Sequence, residues 1–513
     1  MEAIIEKLKQ AAGLASMQVV RQSEGVVISV GDGIATISGL YGASLYELLE
    51  FPGGVKGIAF DLDPEVIRVV LLEGEEGIST GDPVRLTGRT LSVPVGEGFI
   101  GRVISPTGRP LDGFAPPVVS SYYPLERVAP AVVKRDYVSQ PVYTGIRAID
   151  SMIPIGRGQR ELIVGDSASG KTSIAIDTII NQKGKDILCV YVAVGQKVST
   201  TLRVVEQLKR YDAMAHTLIV CAGADTPLGL QYIAPYAGCA IAESFFDRGI
   251  DTLVVYDDLT RHAEAYRSLS LLLRRPPGRE AFPGDIFFLH SRLLERSAKL
   301  ASHYGGASIT ALPIVETQSG RISSYIPTNL ISITDGQIYL DPELFDKGIL
   351  PAIDLRKSVS RVGGKAQVPA MREVSKRLKI EYEHFMEVEV FTKFGAKLDH
   401  ETLSVLGRGE LLREILKQER FKPMPEEEQV CVFHAHGQGY LDGLKPEQVW
   451  PFLDAYIKEL HLLQEDLLDE MRGDKTLTSR MKARLEKTLK RMTTRKTVTD
   501  DIKQGTGEPE KEQ

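Results

Sequence analysis

With 513 residues, 62 Lys and Arg against 68 Asp and Glu, and a formal net charge of -6, the chain is too long for one core of ordinary size. It also has no excess of positive charge with which to neutralise a nucleic-acid backbone. Hydrophobic residues at 43% and charged residues at 25% are the proportions of a globular chain, which excludes disorder for the bulk of it.

The first stretch, "MEAIIEKLKQAAGLA", carries acidic residues and has no long apolar core, so it predicts a short amphipathic helix and not a signal peptide. Ala3, Ile4, Leu8 and Ala11 fall on one stripe at helical spacing, suited either to the chain's own core or to a partner. An arm over 1–24 is followed, over 25–92, by short runs rich in Val and Ile, such as "GVVISV", "GIATIS" and "VIRVVLL", separated by "GDG" and "FPGG". Several short strands at this spacing predict a small closed β-barrel. Over 93–367 the strand-like runs "ELIVG", "ILCVYVAVG", "HTLIVCAG", "DTLVVYDD" and "GDIFFLH" alternate with helical stretches such as "SRLLERSAKLASHYG". This alternation predicts a mostly parallel sheet covered by helices, a nucleotide-binding α/β fold.

Over 368–492 the apolar spacing becomes helical and predicts a helical domain, with Pro446 suited to a first turn. The polar, charged end over 493–513 reads as a disordered tail. No eighteen apolar residues run together, so the chain is expected in the cytosol or at a membrane through partners. The four cysteines, Cys189, Cys221, Cys239 and Cys431, form no C-x-x-C pair and lack a histidine at ligand spacing, so neither zinc nor redox chemistry is expected.

Gly165 to Thr172, "GDSASGKT", matches G-x-x-x-x-G-K-[ST] between a buried strand pattern and a helical one. Glycines at Gly165 and Gly170 let successive backbone N–H groups face one centre at the positive end of a helix, where a polyphosphate is stabilised. The expected contacts run from Gly165 and Asp166 through Ser167, Ala168, Ser169, Gly170, Lys171 and Thr172 to Ser173. Lys171 would reach the β and γ phosphates and the Thr172 hydroxyl would ligate Mg²⁺. The apolar run ending in Asp257 and Asp258 supplies a carboxylate on the metal side, through water; Asp257 is the choice, and Asp258 suits capping of the next helix. A glutamate beyond an adjacent strand would be the expected base for hydrolysis. In its place stands Gln196, whose amide accepts no proton at neutral pH, although glutamine orients water in slow GTPases.

On these residues, and on "LLLRRPPGREAFPGDIFFLHSRLLERSAKL", "ETQSGRISSYIPTNLISITDGQIYLD" and "SVSRVGGKAQ", the chain resembles the α subunits of F-type ATP synthases over nearly its whole length. The resemblance implies a β-barrel crown, a central nucleotide domain and a C-terminal helical domain. It implies a non-catalytic subunit that alternates with catalytic β subunits in an α3β3 ring, because α carries glutamine where β has its glutamate. This loop is then expected to hold Mg-ATP without useful turnover. The "SVSRVG" motif implies that Arg361 crosses the subunit boundary to the γ-phosphate held by β, a task suited to a planar, permanent cation. Ser332 and Ser358 match positions at or beside that interface, or are ordinary turn and strand hydroxyls.

The resemblance further implies a central γ stalk, a peripheral stalk held by residues 1–22, and an ion-translocating membrane sector, with the complex on the cytoplasmic face of a bacterial cell membrane. Phe345 and Pro351 resemble the adenine-pocket wall, and Gln418 keeps the first pocket glutamine. Departures cluster here: Ser167, Ala168 and Ser169 replace Arg, Gln and Thr, Leu350 replaces a common arginine, and Arg420 stands at the second glutamine. From the loop and pocket departures, weaker or less adenine-selective nucleotide binding is expected; Gly364 and Lys365 also stand where Ser and Ala are usual, and the cluster as a whole points to a divergent lineage. Two other readings compete. One is a self-sufficient hexameric ATPase of the protein-export type, opposed by Gln196. The other is an RNA-translocating hexamer, opposed by the lack of basic excess and of an aromatic RNA platform.

Overall fold

The computed structural model describes residues 24–392 and 399–505. The N-terminal arm and its apolar stripe therefore lie, but for Glu24, outside the described residues.

Six antiparallel strands form the first unit: β1 (Glu24–Gly31), β2 (Ile34–Ser38), β3 (Glu47–Glu50), β4 (Lys56–Leu62), β5 (Val66–Leu71) and β6 (Pro83–Thr90). They close in the order β1-β2-β5-β4-β3-β6, with Gly25 opposite Val84 across the seam, so no strand edge is left unpaired. Alternation along each strand sends Val27, Ile37, Leu49, Phe51, Val69 and Val84 to the interior, and that is the barrel's core.

In the second unit β7 (Ser92–Val95) pairs with β9 (Ser121–Pro124), and the remaining strands form one sheet. Its members are β8 (Val103–Ile104), β10 (Leu162–Asp166), β11 (Ile187–Gln196), β12 (Thr217–Gly223), β13 (Asp251–Asp257), β14 (Ile309–Thr317), β15 (Gly336–Leu340) and β16 (Val359–Ser360). Their order is β16-β15-β10-β14-β13-β11-β12-β8, and only β16 runs antiparallel to its neighbour. Central strands such as "LIVGD" and "DTLVVYD" are buried on both faces, as a helix-covered parallel sheet requires. Parallel pairing aligns the carboxyl ends of β10, β11, β13 and β14, the edge where ligands gather in such sheets.

Three local expectations change. "GDIFFLH" is not a strand: a helix runs over Ile286–Leu294, and Ile286, Leu289, His290, Leu293 and Leu294 are buried at helical spacing. The helical reading of "SRLLERSAKLASHYG" holds only to Leu294, after which the chain turns. In the helical domain, Asp399 accepts from Thr402 N at 2.8 Å to cap His400–Leu416, and Pro446 opens Pro446–Leu463. Within the described residues the last helix, Ser479–Gly505, runs past Thr493 into the stretch whose composition predicts disorder; Lys, Arg and Gln favour it and no proline interrupts it.

Candidate nucleotide site

β10 delivers the loop and the helix Lys171–Ile180 leaves it. A Cβ on Gly165 would lie 2.8 Å from the Leu340 Cβ and 3.0 Å from its carbonyl oxygen, so only glycine lets the loop start this close to β15. Gly170 has φ of 104°, left-handed backbone that turns the chain into the helix. Asp166 anchors the loop by accepting from Thr317 Oγ1 at 2.5 Å and Gly320 N at 2.9 Å.

The buried Lys171 ammonium donates to the Gly165 and Asp166 carbonyls at 2.9 and 2.6 Å, and burial holds its pKa below the usual lysine range. Ser169 Oγ is buried without a partner. A desolvated cation held by neutral carbonyls, an orphan hydroxyl and a helix N-terminus form an arrangement that a polyphosphate fits. Thr172 Oγ1 donates to Asp257 Oδ2 at 2.7 Å, and Tyr191 OH donates to the same oxygen at 2.6 Å. Gln196 Nε2 donates to Asp257 Oδ1 at 3.2 Å, so the amide faces this carboxylate directly. Burial raises the Asp257 carboxyl, and burial followed by the Asp257 charge raises Asp258 to about 8. Asp258 also accepts from Arg261 N at 2.7 Å, which makes it the cap of the helix Leu259–Leu272.

Among the described residues no three His, Cys, Asp or Glu side chains gather to hold a metal ion. Mg²⁺ needs no such cluster, because it takes one or two protein ligands and fills its shell with phosphate oxygens and water; Thr172 and Asp257 are the residues that would face it.

Two participants escaped the sequence reading. Glu316, near the end of β14, has Oε1 3.8 Å from Lys171 Nζ and Oε2 3.9 Å from Arg261 Nη2. Tyr191 lies inside a run that read only as an apolar strand. The signal for Glu316 was "ITALPIVET", a strand pattern ending in a carboxylate but carrying Pro313.

Phe345, Leu350, Pro351, Gln418 and Arg420 converge with Ala168 and Ser173 on one cavity of about 100 Å³. Gln418 is already engaged, since its Nε2 donates to the Gly145 and Lys422 carbonyls at 2.7 and 2.8 Å and its Oε1 accepts from Arg147 N at 3.1 Å. Asp177 on the cavity wall is pushed up to about 7 by burial, with Phe421 N donating to it at 2.7 Å. Ser167 and Ala168 are exposed at the loop tip, and of the two Ala168 lines this cavity.

Arg361 is elsewhere. β15 pairs with β10 through Leu340 and Gly165 at its carboxyl end, whereas at its amino end Gly336 faces Ser360, the residue before Arg361. Arg361 N donates to Asp335 O at 2.9 Å, and the exposed side chain lines an open cavity of about 300 Å³ with Arg160, Lys299 and Lys365. Four spacings of a strand, about 13 Å, separate it from its own phosphate loop. Ser332 is exposed, and its hydroxyl bonds back to Asn329 O at 2.6 Å. Ser358 is fully buried: it donates to Asp354 O at 2.6 Å and accepts from Tyr339 N at 2.9 Å, which leaves no hydroxyl facing a neighbour.

Comparison with known proteins gives three family matches in chain order. Residues 20–88 match the ATP synthase alpha/beta family, beta-barrel domain, and residues 145–360 match that family's nucleotide-binding domain. Residues 367–492 match the ATP synthase alpha/beta chain, C terminal domain. The ATP synthase subunit alpha of Dehalococcoides mccartyi (strain ATCC BAA-2266 / KCTC 15142 / 195) is 51% identical over 503 residues, covering 98% of this chain and 97% of that protein. The ATP synthase subunit alpha of Caldanaerobacter subterraneus subsp. tengcongensis is 52% identical over 483 residues, covering 94% of this chain and 95% of that protein.

Proposed function

The chain belongs to the ATP synthase alpha/beta family, with alpha subunits as its relatives, and on that footing we propose that it is the non-catalytic member of an alternating ring with β-type subunits. Its own loop holds Mg-ATP through Lys171, Thr172 and the backbone from Gly165 to Gly170, with Asp257 behind the metal's water shell. When bound, Mg²⁺ neutralises phosphate charge. Gln196 accepts no proton from water, so the nucleotide stays intact. Arg361 is lent to the neighbour's site, where its guanidinium stabilises negative charge that shifts among the γ-phosphate oxygens.

One observation carries this reading: Arg361 projects at the amino edge of the sheet, a strand's length from its own phosphate loop at the carboxyl edge. A cation so placed has no use for the nucleotide of its own subunit. In the ring the chain meets β subunits, a central γ subunit and, through its N-terminal segment, a peripheral stalk. The complex, on the cytoplasmic face of the cell membrane, couples ATP synthesis or hydrolysis to ion translocation by a membrane sector. Among the described residues no helix is long and apolar enough to cross a membrane, which is compatible with attachment through those partners.

The test is to purify the chain alone and then reconstitute it with a β-type partner. The isolated chain should hydrolyse ATP negligibly, and Arg361→Ala should lower turnover of the assembled ring by about three powers of ten while assembly is kept. Normal turnover in that variant removes the trans arginine, and brisk hydrolysis by the solitary chain favours the self-sufficient hexameric motor.

A further inference from the structure

Glu161 stands just before β10 at the amino edge of the sheet, fully buried, and the function proposed above gives it no task. Its Oε2 accepts from Gln159 Nε2 at 2.7 Å, while its Oε1 is buried with no hydrogen-bond partner. The same Gln159 amide donates to Ser360 Oγ at 3.1 Å. Ser360 donates onward to Pro154 O at 2.7 Å and accepts from Gly363 N at 3.2 Å, so both flanks of Arg361 are tied to one hydroxyl. A Cβ on Gly336, the residue opposite Ser360, would come within 2.5 Å of Glu161 Oε2, so the carboxyl is wedged under the start of the strand pair that carries the arginine.

A buried carboxyl oxygen without a partner is costly, and an apolar side chain would fill the place without that cost, so packing alone does not account for an acid at this position.

We propose that Glu161 is a positioning residue for Arg361: through Gln159 and Ser360 it fixes the backbone that aims the guanidinium at the neighbouring subunit's nucleotide. The inference rests on the trans-arginine reading above. Electrostatics point the same way. Burial pushes the Glu161 carboxyl well above the usual range, Asp335 adds to this, and the Arg361 charge opposes it. A carboxyl whose charge burial suppresses competes less with a phosphate for the Arg361 charge.

The experiment compares Glu161→Gln, Glu161→Leu, Gln159→Leu and Arg361→Ala in the reconstituted ring. Glu161→Gln keeps a neutral acceptor for Gln159 and should turn over within about twofold of the parent, whereas Glu161→Leu should lose about tenfold or more in kcat with KM for ATP unchanged, as a displaced catalytic group does. Gln159→Leu should reproduce that loss from the other side of the hydrogen bond, and it decides the matter if Glu161→Leu fails to assemble. Normal kcat in assembled Glu161→Leu or Gln159→Leu, beside an inactive Arg361→Ala, overturns the positioning role alone. Equal losses in the Gln and Leu variants of Glu161 overturn it too, because the ionised carboxylate would then be what is needed. An active Arg361→Ala overturns both this inference and the reading beneath it.

Discussion

Thr172 donates its hydroxyl to Asp257 at 2.7 Å, and this one bond ties the end of the phosphate loop to the end of β13 across the sheet's carboxyl edge. Tyr191 and Gln196 add their own donors to the same carboxylate at 2.6 and 3.2 Å. If Asp257 stands on the metal side as proposed, each of these three donors must turn aside or be bridged when the metal arrives.

Asp257→Asn leaves one acceptor where there were two and presents an amide to those donors. The isolated variant should bind Mg-ATP at least about tenfold more weakly, a loss of about 1.4 kcal/mol, and no better than ATP in chelator. Titration calorimetry with and without Mg²⁺ reads this directly, and a preserved metal effect would remove Asp257 from the metal side.

Gln196→Glu puts a second carboxylate 3.2 Å from Asp257, if the side chain keeps its place. One of the two acids will then hold a proton. The isolated variant should still be a poor ATPase, because the arginine supplied in trans, worth about three to five powers of ten elsewhere, is missing. Fast steady-state hydrolysis by this variant alone would refute the trans argument.

Asp258 gives a pH signature. Its carboxyl ordinarily titrates at 3.8 and is raised to about 8 in the fold by burial and the Asp257 charge. Between those values the folded chain keeps a proton that the unfolded chain has lost. The contribution is therefore fully present below the unfolded value and disappears as pH climbs toward the folded one. Subtracting the unfolding free energy of Asp258→Asn from that of the parent isolates the group, and the difference should fall by up to about 1.4 kcal/mol per pH unit over this window. Denaturant melts at several pH values test it; a flat difference would mean that Asp258 is ionised in the folded chain.

In the core of the second unit, Arg296 and Glu243 form a bidentate pair at 2.9 and 2.7 Å, both almost fully buried. Arg127 lies 3.8 Å from Glu243 and is already engaged with Asp247, so it cannot take over. Arg296→Met should cost about 3–5 kcal/mol by stranding Glu243, whereas Arg296→Met with Glu243→Leu should recover most of it. Equilibrium unfolding in guanidinium measures both, and a single mutant as stable as the double would contradict the pairing.

The phosphate loop, the barrel and the helical domain were legible because each is written in local pattern: a glycine spacing, short alternating strands, a helical period. Less was legible where a distant neighbour decides the conformation. Ile286 to His290 read as a strand because five residues contain too little period to tell the two forms apart, and burial of Leu293 and Leu294 on the same face settled it. β14 was hidden by Pro313, which a central strand tolerates here, and with it went Glu316 and Thr317, brought to the loop only by the register of β14 beside β10. For Ser358 the resemblance implies a place at or beside an interface, with an ordinary turn or strand hydroxyl as the alternative. Within the chain the turn around Asp354 folds its hydroxyl inward onto Tyr339, a fact of tertiary packing that no spacing encodes.

Gln418 spends its whole amide on three backbone partners, Gly145 and Arg147 on one side and Lys422 on the other. It acts as a tie rod between the sheet-bearing domain and the helical one: its bonds to Gly145 and Arg147 cross between them, each worth about 0.5–1.5 kcal/mol net, and both must break before the two can swing apart. The cavity that Gln418 lines with Phe345 and Pro351 thus shares a residue with the joint between the domains, so a substitution at Gln418 loosens both at once.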